Sequence, residues 1–248
     1  MPQTLPLFGR FASLIRGLPG RDLVESDLVP FKLASGDSVE IFYAPFDWLN
    51  LSARVVICGI TPGRNSMLLA LKTSAAALRA GASHEDAARK GKQTGSFSNM
   101  RKNLIFRLDA IGVHVALKLD STARLFSDRA DLLHTTSAVC YPVFKDGENY
   151  NGYSPRLSRH PLLKRFITEY LTPEIVQFPR AIFVPNGPAV AEALLMAGVD
   201  ERRCLCGFPH ASNGPGAKDR AAKFEQEREQ MMSKVAAWAS GSDLISEG

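Results

Sequence analysis

Short, wholly apolar runs alternate along this chain with longer amphipathic ones. Residues 55–58 are apolar at every position and rich in β-branched side chains, which predicts a fully buried strand. Gly59, Pro62 and Gly63 follow. Pro62 cannot continue a ladder and Gly63 permits backbone conformations that a Cβ obstructs, so a sharp turn is expected. A helix is expected over residues 67–80, capped by Asn65 or Ser66 and stopped by Gly81. This succession of strand, glycine turn and helix N-terminus presents unpaired N–H groups to an anion. Similar patterns predict an edge strand at 39–43 and further strands at 131–139, 180–184 and 204–206. Leu104, Ile105, Leu108 and Ile111 recur at helical spacing and predict a helix over 99–111 that ends at Gly112. Other helices are expected near 8–15, at 83–89, from Pro161 to 171, and at 189–197 and 217–239.

The remaining segments read as connections. Residues 1–37, rich in proline and glycine, are expected to form a covering arm, and 240–248 a flexible polar tail. Residues 91–98 have the profile of a mobile surface loop. Residues 141–155 are too long and too aromatic for a simple connector, which suggests a binding role. Strands alternating with helices predict an α/β chain: a three-layer α/β/α arrangement with a central, mostly parallel four-stranded sheet and ligands beyond the strand C-termini. At 248 residues, one domain spanning 1–248 is expected.

Charge narrows the class of partner. The formal net charge is +5 and the pI about 9.1. Residues 89–107 hold Arg89, Lys90, Lys92, Arg101, Lys102 and Arg107 without an acid, and residues 151–166 hold Arg156, Arg159, Lys164 and Arg165, again without one. Two acid-free basic runs point to a phosphate-bearing polymer. No apolar stretch reaches membrane-spanning length and the N-terminus lacks the pattern of a signal peptide, so no membrane partner and a cytoplasmic location are expected. Cys58, Cys140, Cys204 and Cys206 form no Cys-x-x-Cys pairs, which points to buried thiols and away from zinc or iron–sulfur sites.

Four stretches, in order over residues 53–216, carry a resemblance. They are Gly59-Ile60-Thr61-Pro62-Gly63; Thr135-Thr136-Ser137-Ala138-Val139; Pro185-Asn186-Gly187-Pro188-Ala189 with Ala193-Leu194-Leu195; and His210-Ala211-Ser212. Together they resemble the uracil-DNA glycosylase superfamily. That superfamily has a strand-end Gly-x-(Asp/Asn)-Pro-(Tyr/Gly), a strand ending in Thr-Asn-Ala-Val, a strand and glycine turn before an alanine-rich helix, and a His-Pro-Ser loop. The resemblance implies monofunctional hydrolysis of an N-glycosidic bond in DNA after the target nucleotide rotates out of the stack. It implies no metal or organic cofactor, and a monomer acting on a duplex with a flipped base or on a single strand. By carry-over, His210 donates a hydrogen bond to the departing base, and Gly59, Ile60, Pro62, Gly63, Asn65 and Ser137 line the base pocket. Arg64, Arg101, Lys102, Ser212 and Asn213 then grip DNA.

Departures from the pattern bear on chemistry. Thr61 stands where the superfamily has an Asp or Asn that positions water, and a threonine hydroxyl is not a base near neutral pH. Either leaving-group stabilisation carries the rate or Asp47, a few residues before the strand, activates water. Taken alone, Asp47 reads as a turn-stabilising aspartate and His210 as a hydrogen-bonded structural histidine. Ser137 replaces the asparagine that favours uracil, Gly63 the tyrosine that excludes C5 substituents in uracil-specific members, and Ala211 the motif proline. The resemblance therefore implies excision of a modified base rather than plain uracil: a bulky C5-modified cytosine, hydroxymethylated or glucosylated, of phage DNA, in a defence role. The alternatives are a repair glycosylase for uracil or another deaminated base, a non-catalytic DNA-binding relative, and an enzyme for a free nucleotide or sugar phosphate.

Overall fold

The computed structural model describes residues 7–241; residues 1–6 of the expected arm and 242–248 of the expected tail lie outside the described residues. Along the first half of the chain run α1 (Phe8–Arg16), α2 (Glu25–Leu28), β1 (Lys32–Gly36), β2 (Val39–Phe42), β3 (Val55–Gly59), α3 (Arg64–Arg79), α4 (His84–Gly95), α5 (Arg101–Ala110) and α6 (Val113–Ala116). The second half holds β4 (Leu133–Ser137), β5 (Val143–Lys145), β6 (Glu148–Asn149), α7 (Pro161–Phe166), α8 (Thr172–Val176), β7 (Ile182–Pro185), α9 (Pro188–Met196) and α10 (Ala217–Ser240). The chain is thus mixed α/β with a parallel sheet. It divides into two compact units, Met1–Leu49 with Thr61–Ser98 and Val139–Ser154, and Asn50–Ile60 with Asn99–Ala138 and Pro155–Gly248.

The second unit holds the parallel sheet, in the order β4-β3-β7. All five residues of β3 are buried, as expected of a central strand covered on both faces. Its register sets Val55 opposite Leu133 and Ile182, and Gly59 opposite Ser137. The fourth strand expected at 204–206 is reduced to one parallel bridge between Phe183 and Cys204, because Leu205 and Gly207 lead at once into turns; the parallel sheet has three strands. Pro161 opens α7 as expected, but the helix loosens into a π-helical turn over Ile167–Leu171 before α8. Pro173 has no N–H for the carbonyl four residues back, which favours such a local change of winding.

The first unit contains an antiparallel sheet, β1-β2-β5-β6, that the hydrophobic pattern did not predict. Two residues turn β1 into β2, Asp37 and Ser38, with φ of 49° and 64°. Asp146 and Gly147, at 50° and 80°, do the same between β5 and β6. Positive φ at both central residues is the turn whose twist matches that of paired strands. The expected edge strand at 39–43 is consequently an interior one, and the long loop at 141–155 contains a hairpin. The expected arm forms α1, α2 and β1 within its described part, and Phe11 of α1 stacks on Tyr43 at 4.2 Å.

Ser83 caps α4 as expected, its hydroxyl accepting from Asp86 N–H. The helix then runs on to Gly95, through the segment expected to be a mobile loop. A Cβ at Gly91 would lie 2.2 Å from Ser74 Oγ, and one at Gly95 2.8 Å from Ser66 O. These glycines are where α4 meets α3 at backbone distance, so their role is close packing.

Candidate functional site

In the parallel-sheet unit, three strand ends converge. Gly59 pairs with Ser137, and Cys58 with both Thr136 and Pro185. The ladder is extended by Ala138 N–H donating to Gly59 O and Asn186 N–H donating to Cys58 O, each at 2.8 Å. C-terminal strand ends are where open parallel sheets place their ligands. Ser137 is 8% exposed, and the buried Thr136 hydroxyl has no hydrogen-bond partner among the described residues.

The turn after β7 holds the histidine loop. Asn186, 1% exposed, accepts from Ala211 N–H through its Oδ1 at 2.7 Å. Gly187 donates its N–H to Phe208 O, and at φ of +106° it brings a would-be Cβ within 3.4 Å of His210 Cβ. The left-handed conformation is what requires glycine here. Three further side chains fix the loop through its carbonyls. Arg107 Nη1 donates to Pro209 O and His210 O, at 3.1 Å each. Asn103 Nδ2 donates to Ala211 O at 2.7 Å and to Asn213 Oδ1 at 2.6 Å. Arg220 reaches Ser212 O, Gly214 O and Pro215 O.

The contacts of His210 favour one tautomer. Its Nδ1 accepts from Ser212 N–H at 3.3 Å and lies 3.0 Å from Ser212 Oγ. A backbone N–H can only donate, so Nδ1 is an acceptor and the neutral ring carries its proton on Nε2. Burial, and then the positive charges of Arg220 and Arg107, push the histidine below its usual range and favour that neutral form. Among the described residues Nε2 has no hydrogen-bond partner. The loop thus presents a neutral N–H donor, held by the chain on both sides.

Of the predicted DNA contacts in this unit, Lys102 is exposed on the first turn of α5, whereas Arg101 is partly buried with its guanidinium 5.4 Å from the Phe126 ring centre. Ser212 and Asn213 serve the loop itself. Ile60 is half-buried at the strand exit. Sequence reasoning missed Asn103, Arg107, Asn186 and Arg220 as the loop's supports. The Asn-Gly pair at 186–187 is a turn signal that pointed to this position; nothing local marks the other three.

The first unit carries Asp47, Thr61, Pro62, Gly63, Arg64 and Asn65. Thr61 Oγ1 donates to Tyr141 O at 2.8 Å and accepts from Val143 N–H at 3.0 Å. Its only proton is committed, so it can do no more than accept from a water. Gly63, not Asn65 or Ser66, caps α3, with φ of −78°, a conformation open to any residue. Its nearest neighbour is Asn149 Oδ1, 3.4 Å from a would-be Cβ. That oxygen also accepts from Arg64 N–H at 2.8 Å, occupying one first-turn donor expected to be open to an anion. The Arg64 side chain pairs with Glu25 at 2.9 Å, donates to Gly147 O and covers the Phe144 ring. Pro62 is half-buried and Asn65 exposed.

Asp47 is 6% exposed. Its carboxylate accepts from Leu7 N–H, Tyr43 Oη–H and Tyr141 Oη–H, each at 3.3 Å. Burial raises the carboxyl to about 6, against lowering by backbone N–H donors, the charge of Lys92 and the Tyr141 hydroxyl. The buried Lys92 donates to Trp48 O at 2.7 Å. These contacts tie the chain near Leu7, the loop after β2 and the entry to β5 to one carboxylate.

Among the described residues, no group of three or more His, Cys, Asp or Glu side chains is arranged to hold a metal ion, and no helix is long and apolar enough to cross a membrane. YoxB, an uncharacterised protein of Bacillus subtilis (strain 168), is 36% identical to this chain over 247 residues, covering 96% of the chain and 95% of YoxB. The chain belongs to the YoxB family. No protein-family model and no solved structure matches it.

Proposed function

We propose that the protein is a monofunctional DNA glycosylase that hydrolyses the N-glycosidic bond of a flipped-out modified base. The observation that carries this reading is the state of His210, a neutral imidazole with its Nε2 hydrogen uncommitted. In the reaction the C1′–N bond breaks with its electron pair leaving on the base, and water adds to C1′ and loses a proton that the base finally takes up. A preorganised N–H aimed at the developing anion stabilises it without solvent reorganisation. Thr61 has no proton to give and Asp47 is sealed in a tyrosine cluster. Leaving-group stabilisation therefore carries the rate, and water attacks a sugar already cationic.

The small side chains of Ser137 and Ala211 support a base larger than uracil, as does Gly63 by the sequence resemblance. The substrate in this reading is a cytosine with a bulky C5 group, hydroxymethylated or glucosylated, and the role is defence against phage DNA. Lys102 and the acid-free run at 151–166 supply phosphate contacts on a duplex or a single strand. The parallel sheet is then the centre of a three-layer α/β/α domain, with the Cys204 bridge as the trace of a fourth strand. The protein works as a cytoplasmic monomer without a cofactor.

A second reading, a DNA-binding relative that recognises an extruded base without cutting, is favoured by the committed Thr61 hydroxyl. Mass spectrometry of bases released from phage DNAs with modified pyrimidines, and from uracil- and thymine-mismatch DNA, decides between them. Release by the wild type that is lost in His210→Ala supports the glycosylase. Release of uracil alone reassigns it to repair. Tight binding without release supports the second reading, and neither release nor binding removes both.

A further inference from the structure

The thiols of Cys204 and Cys206 have no part in the reaction proposed above. Cys204 is held to the sheet by its parallel bridge to Phe183 and by Leu205 N–H donating to Phe183 O at 2.9 Å. Cys206 N–H folds back onto Cys204 O at 2.8 Å, closing a three-residue turn around Leu205. Residues i and i+2 of an extended strand share a face but stand about 6.6 Å apart, near the upper limit of the Cα separation that a disulfide spans. The turn shortens that distance, and the two thiols stand close enough for each to shift the titration of the other. Cys204 is fully buried, while Cys206 is partly exposed.

We propose that Cys204 and Cys206 form a thiol–disulfide exchange site for low-molecular-weight disulfides, with Cys206 as the attacking sulfur and Cys204 as the resolving one. The Cys204 thiol, with the Lys234 charge in support, brings Cys206 down to about 7, against burial and the charge of Glu201. The same contact and burial raise Cys204, as suits a thiol that holds its proton until the second step. Lys234 Nζ is anchored on Glu201 O and Cys204 O at 2.8 and 3.1 Å, next to the pair.

In the first step Cys206 thiolate attacks one sulfur of the disulfide RSSR. A Cys206–S–S–R bond forms, the S–S bond of RSSR breaks, and RS⁻ leaves. Cys204 then gives up its proton and attacks the Cys206 sulfur, expelling a second RS⁻. The protein loses two electrons and two protons, and RSSR becomes two RSH. The closed ring ends immediately before Gly207, whose φ of +95° turns the chain toward the loop that carries His210. Cys58 and Cys140, both buried, take no part.

Oxidised glutathione is the probe. Wild-type protein incubated with it at pH 7 is expected to lose two hydrogens in mass and to retain no glutathione, and peptide mapping places the bond between residues 204 and 206. Cys204→Ser removes the resolving sulfur, so a glutathione adduct accumulates at Cys206; Cys206→Ser forms neither product. In a separate measurement, alkylation of Cys206 by iodoacetamide has its pH midpoint near 7 in the wild type and moves toward about 8.5, the ordinary thiol value, in Cys204→Ala. A wild type that keeps both thiols, or a Cys204→Ser variant without an adduct at Cys206, overturns the assignment, and so does an adduct confined to Cys58 or Cys140.

Discussion

Two loops carry the strongest motifs of this chain, and the structure treats them differently. In the turn at 61–65, polar groups are used up locally: Thr61 clamps Tyr141 and Val143, Arg64 N–H is taken by Asn149, and the Arg64 guanidinium is paired with Glu25. In the loop at 209–213 the backbone carbonyls are held by Arg107, Asn103 and Arg220, and this leaves the Nε2–H of His210 uncommitted. One motif is consumed in holding its unit together. The other is supported from outside, and so keeps a donor in reserve. A motif match locates a loop, but whether its polar atoms are available depends on which neighbours reach them first.

Under the glycosylase proposal, the largest effect expected from this difference is on base release. His210→Ala should lower single-turnover base release by about 10²–10³, the usual cost of one preorganised donor to a developing anion, with DNA affinity within a few-fold. Normal release with a lowered melting temperature would instead make His210 a structural residue like Thr61.

Acid titration should separate the two regions next. Asp47 has a folded value raised to about 6 against roughly 4 unfolded, so its contribution to stability is present below pH 4 and lost as pH rises through 6, in total about 3 kcal/mol. His210 is shifted the other way: its ring charges readily when unfolded and reluctantly when folded, so stability falls as pH drops below the unfolded value of about 6.5. Melting curves of Asp47→Asn and His210→Ala from pH 4 to 7 should remove opposite slopes. A slope unchanged in Asp47→Asn would show that this carboxylate is ionised at ordinary acidity, and would return it as a candidate base.

Thr61→Val should cost stability, about 2 kcal/mol by denaturant titration, because Val143 N–H and Tyr141 O lose their partner while the volume is conserved. Base release per folded molecule should stay within a few-fold. A rate loss as large as that of His210→Ala, without loss of stability, would erase the contrast between the loops.

The smallest effect concerns phosphate contacts. Lys102→Ala should flatten the dependence of log affinity on log salt by about one, the signature of a single lost phosphate contact, whereas Arg101→Ala should change the slope little because that side chain packs on Phe126. Equal changes in the two variants would mean that Arg101 leaves Phe126 when DNA binds.

Local pattern alone determined β3, the cap at Ser83, the helix start at Pro161, the helices expected over 99–111 and 217–239, and the two glycine loops, because periodicity, capping and turn chemistry are properties of neighbours in sequence. The antiparallel sheet was also written locally, in the Asp146-Gly147 turn pair, but its strands are too short and its flanking residues, Lys145, Glu148 and Asn149, too polar for an alternation to stand out. Long-range packing decided the rest. That Gly91 and Gly95 are the contact residues of a helix, and not the flexible points of a loop, shows only once Ser74 and Ser66 of α3 stand where a Cβ would go. Asp47 became a buried hub because Tyr141, 94 residues away, turned its hydroxyl toward it. The availability of His210 rests on Asn103, Arg107 and Arg220; Asn103 reaches across 108 residues of sequence to Ala211. A side chain's donors and acceptors are fixed by its identity, but their occupancy is a property of the folded neighbourhood, which no window along the chain contains.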